Sequence, residues 1–484
     1  MFRIRQKIHD FLSPGPPISP VEALNIRYLY LEIAWWGIAF GTYLNYLPVF
    51  AARLGASNFW IGVLSSGPAL VSIFWLWPAG HLIEHQRRQM PILAASMFIS
   101  RAFILLMALA PWLSPTYPGE VLAILVTLQA FPSGIVVVAF SAILPDTMSR
   151  EHLSPVVSQR NAIIGITSTL GTLISVPLLA WLSFPINYQI VFVIGFVTAY
   201  FSAYYVTRLQ VLDHPVPTSR ASGRRPRRPF LSWKAIRGAW REQPAYSWYV
   251  LAAFVFHAGL YAAIPLFSIY WVRGLRISDT WIATISLLWN VASMAGSVAA
   301  PPLVRRWGNG RVLMVSSAAL SLYPIGTALS RSPYPLVLLA TAGGIVGGLM
   351  AITLFNRLIE VIPASRRASY VGLYNAVINV AVFAAPLVST ALADRWGVPA
   401  LLMAAGLLRI FGGLLFGLSR GGAEDPASTP RSPWPPASGG CEGPGVRGLK
   451  GVGGMGEGCS FAPPTHQHNL EPNHPWLQLT KQGR

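Results

Sequence analysis

Very few titratable side chains interrupt the apolar stretches of this sequence, and each of them is a candidate for chemistry. Glu32 lies in the first apolar run and His257 in the middle of the seventh. A carboxylate can carry a proton, and an imidazole titrates near neutral pH. Both are therefore candidates for proton coupling, with H+ as the coupling ion. The structural alternatives stay open, since Glu32 can pair with Arg27 or a neighbouring helix, and His257 can be a hydrogen-bonded structural residue.

Two arginines also lie in the middle of apolar runs, Arg101 in the third and Arg409 in the last. A charged side chain at the centre of a bilayer costs about 2.5–3.5 kcal/mol on insertion scales. We expect both arginines to bind carbonyls of neighbouring helices or to extend toward the membrane surface. Arg101 can also pair with Glu32.

A further set of charges lies in a short connector, residues 78–88, and a similar connector follows at residues 301–311. The flanking sequence repeats as well, because Trp60-Ile61-Gly62 has the counterpart Trp281-Ile282-Ala283. A connector that recurs together with its flanking helices indicates a duplicated half. The connector residues that we single out are Gly80, Glu84, His85, Arg87 and Arg88 in the first copy, and Arg305, Arg306, Gly308 and Arg311 in the second.

The composition identifies the elements that must position these residues. Hydrophobic residues make up 53% of the chain and charged residues only 11%. About 18–20 apolar residues in a helix span the hydrocarbon core, and backbone groups in lipid must hydrogen-bond within such a helix. The sequence therefore predicts an all-α integral membrane protein with twelve transmembrane helices in two pseudo-symmetric six-helix halves. The predicted spans are 29–51, 58–79, 90–112, 120–144, 161–182, 188–207, 246–271, 279–304, 311–330, 335–361, 368–392 and 398–418.

The formal net charge of +19 is distributed according to topology. Lys and Arg cluster before the first predicted helix and after the even-numbered ones, whereas the opposite loops carry few. By the positive-inside rule both termini and the middle loop are cytoplasmic. The charge therefore gives no reason to expect a nucleic-acid partner, and the lipid bilayer is the expected surroundings. We expect a multi-pass protein of the plasma membrane that works as a monomer.

The domain organisation follows from these spans. Residues 1–28 form a cytoplasmic segment, 29–207 the first half, 208–245 a basic cytoplasmic loop and 246–418 the second half. Residues 419–484 are rich in glycine and proline and are expected to form a disordered cytoplasmic tail. Both cysteines, Cys441 and Cys459, lie in this tail without metal-ligand spacing, so that neither a metal nor a cofactor is expected.

Two functional classes can be weighed against solute transport. A membrane-embedded enzyme would need acids, histidines or nucleophiles clustered on one face, and the sequence contains no such cluster and no phosphate-binding loop. The chain is therefore not expected to be an enzyme. A membrane receptor or scaffold would use the basic middle loop and the long tail, and this alternative stays open.

The first connector resembles the signature of the major facilitator superfamily, Gly-x-x-x-Asp-Arg/Lys-x-Gly-x-Arg/Lys. Gly80 fits the first glycine, Glu84 the acidic position and His85 the basic one. Arg87 stands where the family has its second glycine, and Arg88 follows it. The resemblance covers about residues 25–420 and implies the fold of twelve helices in two halves.

The second connector and two other signatures depart from the family pattern. Arg305 replaces the acid, although Arg306, Gly308 and Arg311 resemble the rest of the signature. The Arg-x-x-Gln-Gly pattern of helix 4 would place its arginine at Val126, and Gly171 is not followed by the proline that many antiporters carry. These departures argue against transferring a drug/proton antiport mechanism and leave the fold prediction unchanged.

The resemblance also implies where a solute would pass, since helices 1, 4, 7 and 10 line the path in this superfamily. The corresponding polar and aromatic residues here are Tyr43, Asn45, Gln129, His257, Tyr261 and Asn356, with Trp289, Asn290, Asn375 and Asn379 on the adjoining helices 8 and 11. This set suits a neutral, amphipathic or anionic small molecule better than an inorganic cation. Export of an amphipathic compound is the leading hypothesis, and uptake of a nutrient or metabolite is the alternative.

The resemblance assigns a gate function to Glu84, whose carboxylate would meet the start of helix 11, where a helix N-terminus attracts negative charge. The alternative is that Glu84 lies among the lipid head groups beside Arg87 and Arg88. We expect Glu84→Ala to impair solute flux in proteoliposomes while leaving membrane insertion nearly unchanged. Normal flux in this variant would contradict the gate function.

Overall fold

The structure, a computed structural model, describes residues 19–84, 89–212, 243–362 and 367–418. Regular structure in these ranges is helical, and eleven helices there are long and apolar enough to cross a membrane. The remaining helix, α1, carries Glu22, Arg27 and Glu32. The helices are α1 (Pro20–Ala39, a π-helical turn Phe40–Leu44, and Asn45–Arg53), α2 (Asn58–Glu84), α3 (Gln89–Ala108), α4 (Pro118–Ile143), α5 (Arg150–Trp181), α6 (Ile186–Thr207), α7 (Pro244–Ile269, then a π-helical turn Tyr270–Gly274), α8 (Asp279–Trp307), α9 (Asn309–Leu320 and Leu322–Leu329), α10 (Pro333–Val361), α11 (Arg367–Trp396) and α12 (Val398–Leu418). The prediction of an all-helical membrane architecture is confirmed.

The first helix begins at Pro20 and not at residue 29, where its apolar run starts. Ser19 is the N-cap, and its hydroxyl accepts a hydrogen bond of 3.2 Å from the backbone N–H of Glu22. Proline suits the first helical position because its missing N–H would have had no partner there. The pattern Ser19-Pro20-Val21-Glu22 is thus a capping signal that hydropathy alone does not detect.

Helix α5 also begins earlier than predicted, at Arg150 instead of residue 161. The polar residues ahead of the apolar run continue the helix back to Ser149, whose backbone is extended and whose N–H and hydroxyl donate to Glu22 of α1. Arg160, which the sequence analysis places outside the helix, is consequently a helical residue with 8% of its surface exposed.

The two charged connectors are shorter than the sequence suggests. Helix α2 continues through Gly80 to Glu84, and α8 continues through Arg305 and Arg306 to Trp307. Gly308 then reverses the chain with φ of 79°, a conformation that favours glycine. His85, Arg87 and Arg88 lie outside the described residues, as do residues 213–242 of the middle loop and the tail 419–484.

The helices pack in the same pairs in both halves. Helix α1 packs against α5 and α6 as α7 packs against α11 and α12, and α2 packs against α4 as α8 packs against α10. The main contacts between the halves are α2 with α11 and α5 with α8. The duplication exchanges these two pairs, so the interface has the internal symmetry that the repeated connectors indicate.

Glycines bring α8 and α10 into very close contact. A Cβ atom added at Gly296 would lie 1.9 Å from the carbonyl oxygen of Ile345, and one added at Gly348 would lie 2.0 Å from that of Ser293. Small residues allow helix backbones to approach in this way when apolar lipid provides no hydrophobic driving force. Helix α10 is therefore packed closely against α8 within the second half.

The hydrophobic core is continuous at one end of the bundle and divided at the other. We call the end that carries the α1–α2 and α7–α8 turns the distal end, and the opposite end the proximal end. At the distal end one cluster joins both halves, including Phe50 and Tyr188 from the first half and Leu266 and Ile282 from the second. Toward the proximal end each half has a cluster of its own among the described residues. The two halves are thus packed together at the distal end.

The close approach of α8 and α10 yields a stability prediction. Gly296→Ala forces a methyl group against a carbonyl, so we expect it to destabilise the protein by about 1–3 kcal/mol, as overpacking typically does. Gly165→Ala is the matched control, because no atom lies within 4 Å of its added Cβ. Thermal unfolding of detergent-solubilised protein should show a lower midpoint for the first variant and an unchanged or higher one for the second. Equal midpoints would contradict the packing argument.

Candidate functional site

A cavity of about 370 Å³ lies within the first half, between α1, α3, α4 and α5. It contains four residues that the sequence analysis singles out, namely Glu32, Tyr43, Arg101 and Gln129. A further basic residue, Arg160, contributes to its wall. We call this space the N-half cavity. Its volume is within the range of small-molecule sites in proteins.

Glu32 forms an ion pair with Arg160 in this cavity. The distance between Arg160 Nη1 and Glu32 Oε2 is 2.8 Å, and the Ser202 hydroxyl donates to Glu32 Oε1 at 3.2 Å. Arg160 also donates to the carbonyl of Leu29 at 3.0 Å. Of the partners considered from the sequence, the neighbouring helix is therefore the one observed, and Arg27 is exposed. Arg160 was missed as a site residue because the apolar run of α5 begins after it.

Arg101 lies in the same cavity and is only 6% exposed. Its guanidinium carbon is 3.7 Å from the centre of the Trp36 ring, a cation–π contact. Glu32 makes its ion pair with Arg160 and not with Arg101. Gln129 beside it donates to the backbone carbonyl of Ser100 at 2.9 Å. The guanidinium is therefore held in place by an aromatic face.

Two predicted path residues from different halves meet through one hydroxyl. The side-chain amides of Asn45 on α1 and Asn290 on α8 both donate to Thr172 Oγ1 on α5, at 3.2 Å and 3.1 Å. Thr172 is fully buried and in turn reaches the carbonyl of Gly41 at 3.1 Å. This contact lies beside the π-helical turn Phe40–Leu44, and π turns frequently mark functional positions in helices. It links the halves between their two ends.

The remaining candidates of the second half are placed separately. His257 is buried, donates from Nδ1 to the Ala253 carbonyl at 2.7 Å, and stacks on Tyr261 with ring centres 6.0 Å apart. Arg409 donates to the carbonyl of Leu260 at 3.2 Å, which is the carbonyl contact expected from the sequence. The hydrogen bond from His257 to Ala253, a residue of the same helix, corresponds to the structural alternative for this histidine.

The ring centres of Trp289 and Tyr323 are 5.0 Å apart, and the α10 glycines Gly343 and Gly347 lie against the Trp289 indole. Asn356 and Asn379 are half-buried and Asn375 is exposed. The hydrogen bonds described do not join these three asparagines to the contact between Asn45, Thr172 and Asn290.

The connector residues are only partly described. Gly80 lies in the last turns of α2, whereas Arg305, Arg306 and Arg311 are exposed at the proximal end. The side chain of Glu84 is outside the described part of the chain, as are residues 363–366 ahead of α11. The gate function of Glu84 therefore stays a prediction, although α2 and α11 do pack together.

At the distal end an arginine of the first half reaches the second half. Arg53, at the end of α1, makes an ion pair of 2.9 Å with Asp279, at the start of α8, and donates to the carbonyl of Ile277 at 2.6 Å. Tyr188 and Asn187 on α6 donate to the same carboxylate at 2.8 Å and 3.2 Å. Charge-assisted hydrogen bonds of this kind are stronger than neutral ones.

An arginine of the second half makes the equivalent contact with the first half. Arg273, at the end of α7, donates to Asn58 Oδ1 at 2.6 Å at the start of α2, and also donates to the carbonyl of Ala56. Asn58 in turn donates to Asp394 on α11 at 2.6 Å. We call these two reciprocal contacts the distal latch.

The latch was missed because its arginines were read only as topology signals. The available signal is the match between the two hairpins, in which an arginine ends the odd helix and Asn58 or Asp279 begins the even one. Asn58 and Asp279 occupy equivalent positions, since Gly55 and Arg276, each three residues earlier, both have a positive φ, of 85° and 51°. The arginines differ by one position in this alignment, because Arg53 lies five residues before Asn58 and Arg273 six residues before Asp279.

A stability measurement can test whether Glu32 and Arg160 stabilise the protein as an ion pair. Removing one partner of a buried pair costs about 3–5 kcal/mol because the other charge is left uncompensated. We expect Arg160→Gln to lower the thermal midpoint strongly and the double variant Glu32→Gln/Arg160→Gln to recover most of the loss. Glu360→Gln is the control, because it removes the exposed pair with Arg357, for which about 0–1 kcal/mol is expected. A double variant as unstable as Arg160→Gln would contradict the pairing.

Comparisons with known proteins agree with this architecture. The family model described as Major Facilitator Superfamily matches residues 36–334 and 250–479. No curated protein matches the chain in sequence. Among solved structures, a mutant of the nucleoside transporter NupG superposes with a TM-score of 0.62 at 13% identity, covering 82% of this chain and 99% of that one.

Two further structures are similar to the same extent. A bacterial homologue of the human lysosomal transporter Spinster gives a TM-score of 0.62 at 11% identity, with 83% of this chain and 98% of that one covered. The D-xylose–proton symporter gives 0.61 at 12% identity, with 81% and 96% covered. At such identities the likeness concerns the fold, whereas the family model matches more than half of the sequence. The chain therefore belongs to the Major Facilitator Superfamily, as a multi-pass membrane transport protein and not an enzyme.

Proposed function

We propose that this chain is a secondary transporter that exports a small amphipathic molecule by alternating access. The observation that carries the proposal is the asymmetry of the core, which is one cluster across both halves at the distal end and two separate clusters toward the proximal end. Two rigid halves that are joined at one end can rock apart there and close at the other. The state described is then the one closed at the distal end.

The distal latch supports a gate function at this end. Each half extends one arginine to the beginning of an even helix of the other, so that both contacts break together when the halves separate. With the orientation that the positive-inside rule gives, the distal end is extracellular. The latch would thus hold the outside closed while the substrate enters from the cytoplasm.

The middle of the bundle supports a substrate path. Tyr43 and Gln129 line the N-half cavity on helices that line the path in this family, and Thr172 joins Asn45 and Asn290 across the two halves. Loss of that shared hydroxyl contact would accompany any separation of α5 from α8. Tyr261, Asn356, Trp289, Asn375 and Asn379 are proposed for the opposite wall.

Proton coupling is proposed at Glu32, with His257 as the second candidate. Glu32 is ion-paired with Arg160 in this state. Replacement of the Arg160 partner by a proton at this carboxylate would be the coupling step. Uptake by the same cycle run in reverse is the second transport mode, and we place the protein in the plasma membrane as a monomer.

The gate can be tested with a reporter between the halves. Thr390 on α11 is fully buried, and a Cβ added at Gly62 on α2 would lie 2.1 Å from its hydroxyl. Thr390→Cys in a background with Cys441→Ser and Cys459→Ser provides one thiol at this interface. A membrane-impermeant maleimide added outside should label it slowly. Asp279→Ala should raise the rate about tenfold if the latch contributes about 1.4 kcal/mol to closure.

Glu360→Ala serves as the control, since it removes an ion pair at the proximal end and leaves the latch intact. Its labelling rate should equal that of the reporter alone. An unchanged rate in Asp279→Ala would contradict the gate. A full-length protein that shows latch-dependent labelling but moves no solute in a proteoliposome accumulation screen would instead favour the receptor or scaffold function.

A further inference from the structure

The buried charges of the described helices do not balance. Three arginines are buried, Arg101, Arg160 and Arg409, against two carboxylates, Glu22 and Glu32. Glu22 lies at the proximal end, where it accepts hydrogen bonds from the backbone and side chain of Ser149 and contacts His152. Glu32 is therefore the buried carboxylate that lies in one cavity with Arg101 and Arg160.

Within the N-half cavity the Glu32 carboxylate is already paired with one arginine. Arg160 approaches Glu32 to 2.8 Å, and Ser202 donates to its other oxygen. Arg101 lies in the same cavity, and its Nε has no hydrogen-bond partner among the described residues. The cavity thus holds two guanidinium groups and one carboxylate, an excess of one positive charge in a region where an uncompensated charge is costly.

The surroundings of Arg101 combine this charge with apolar and aromatic surface. Its guanidinium lies on the face of Trp36, and Tyr43, Phe140 and Met97 form neighbouring parts of the wall. An arginine held against an aromatic ring keeps its N–H donors directed away from that ring, in the plane of the guanidinium. A planar carboxylate matches this donor geometry, and an apolar body would lie against the rings.

We propose that the N-half cavity is the binding site for a small monoanionic organic molecule, with Arg101 as the anion-binding residue and the aromatic wall as the site of its apolar part. The inference rests on the proposed transport function and assigns its substrate class, an amphipathic carboxylate or similar monoanion. A single negative charge neutralises the excess positive charge of the cavity. A cation would add to that excess, and a neutral solute would leave it uncompensated.

Matched probes that differ only in charge test the proposal. We would titrate full-length protein in detergent with benzoate against benzamide, and with indole-3-acetate against indole-3-acetamide, at constant ionic strength in sodium chloride. The thermal midpoint reports binding, since a ligand that binds the folded state raises it. We expect both carboxylates to raise the midpoint, the amides to have little effect, and acetate, which lacks a ring, to bind more weakly than either aromatic acid.

Variants assign the effect to Arg101. Arg101→Gln should weaken carboxylate binding about tenfold or more, the usual scale for loss of a charge-assisted hydrogen bond. Arg409→Gln is the matched control, as it removes a buried arginine outside the cavity and should leave the affinity unchanged. If Arg101→Gln does not fold, Arg101→Lys keeps the charge and should keep the preference for carboxylate over amide.

Several outcomes would overturn the inference. These are equal effects of acid and amide, no stabilisation by either carboxylate, wild-type affinity in Arg101→Gln, or loss of the carboxylate preference in Arg101→Lys. The test is also separable from that of the transport function. Absent carboxylate binding with normal latch-dependent labelling of Thr390→Cys contradicts the anion site alone, whereas normal binding with latch-independent labelling contradicts alternating access alone.

Discussion

The structure depends on one constraint, that lipid offers no hydrogen-bond partner to a backbone or a charge. The chain satisfies its backbone in helices, and each buried charge makes contact with another element. Arg160 pairs with the Glu32 carboxylate and donates to the carbonyl of Leu29, and Arg409 donates to the carbonyl of Leu260. The same constraint gives significance to Arg101, whose contact is an aromatic face and not an anion.

Duplication determines how the halves meet. Because α2 and α8 are equivalent, as are α5 and α11, a contact of α2 with α11 must be accompanied by one of α5 with α8. The latch repeats this exchange at the level of side chains, with Arg53 directed to α8 and Arg273 to α2. The two copies have nevertheless diverged. Asp279 accepts hydrogen bonds from three side chains. Its counterpart Asn58 accepts one from Arg273 and itself donates one to Asp394.

The chemical asymmetry of the halves bears on function. The first half holds the paired acid, the arginine on Trp36 and the N-half cavity, and the second half holds close glycine packing between α8 and α10. In the proposed cycle the second half would move as one body, while the Glu32–Arg160 contact in the first half responds to protons and substrate. Thr172 accepts hydrogen bonds from both Asn45 and Asn290, so a movement of one half relative to the other would change the contacts of this hydroxyl.

Hydropathy and repeated local patterns are properties of contiguous residues, so the sequence is sufficient to predict the membrane class, the helical architecture and the duplication. It also identified Glu32, Tyr43 and Gln129, which the structure brings to one cavity. It could not assign Arg160 to Glu32, since that pairing joins α1 to α5 and depends on an N-terminal extension of α5 that its apolar run does not include. The latch likewise joins residues of opposite halves. Pairings between distant segments are decided by how the helices pack, and only the tertiary structure contains that information.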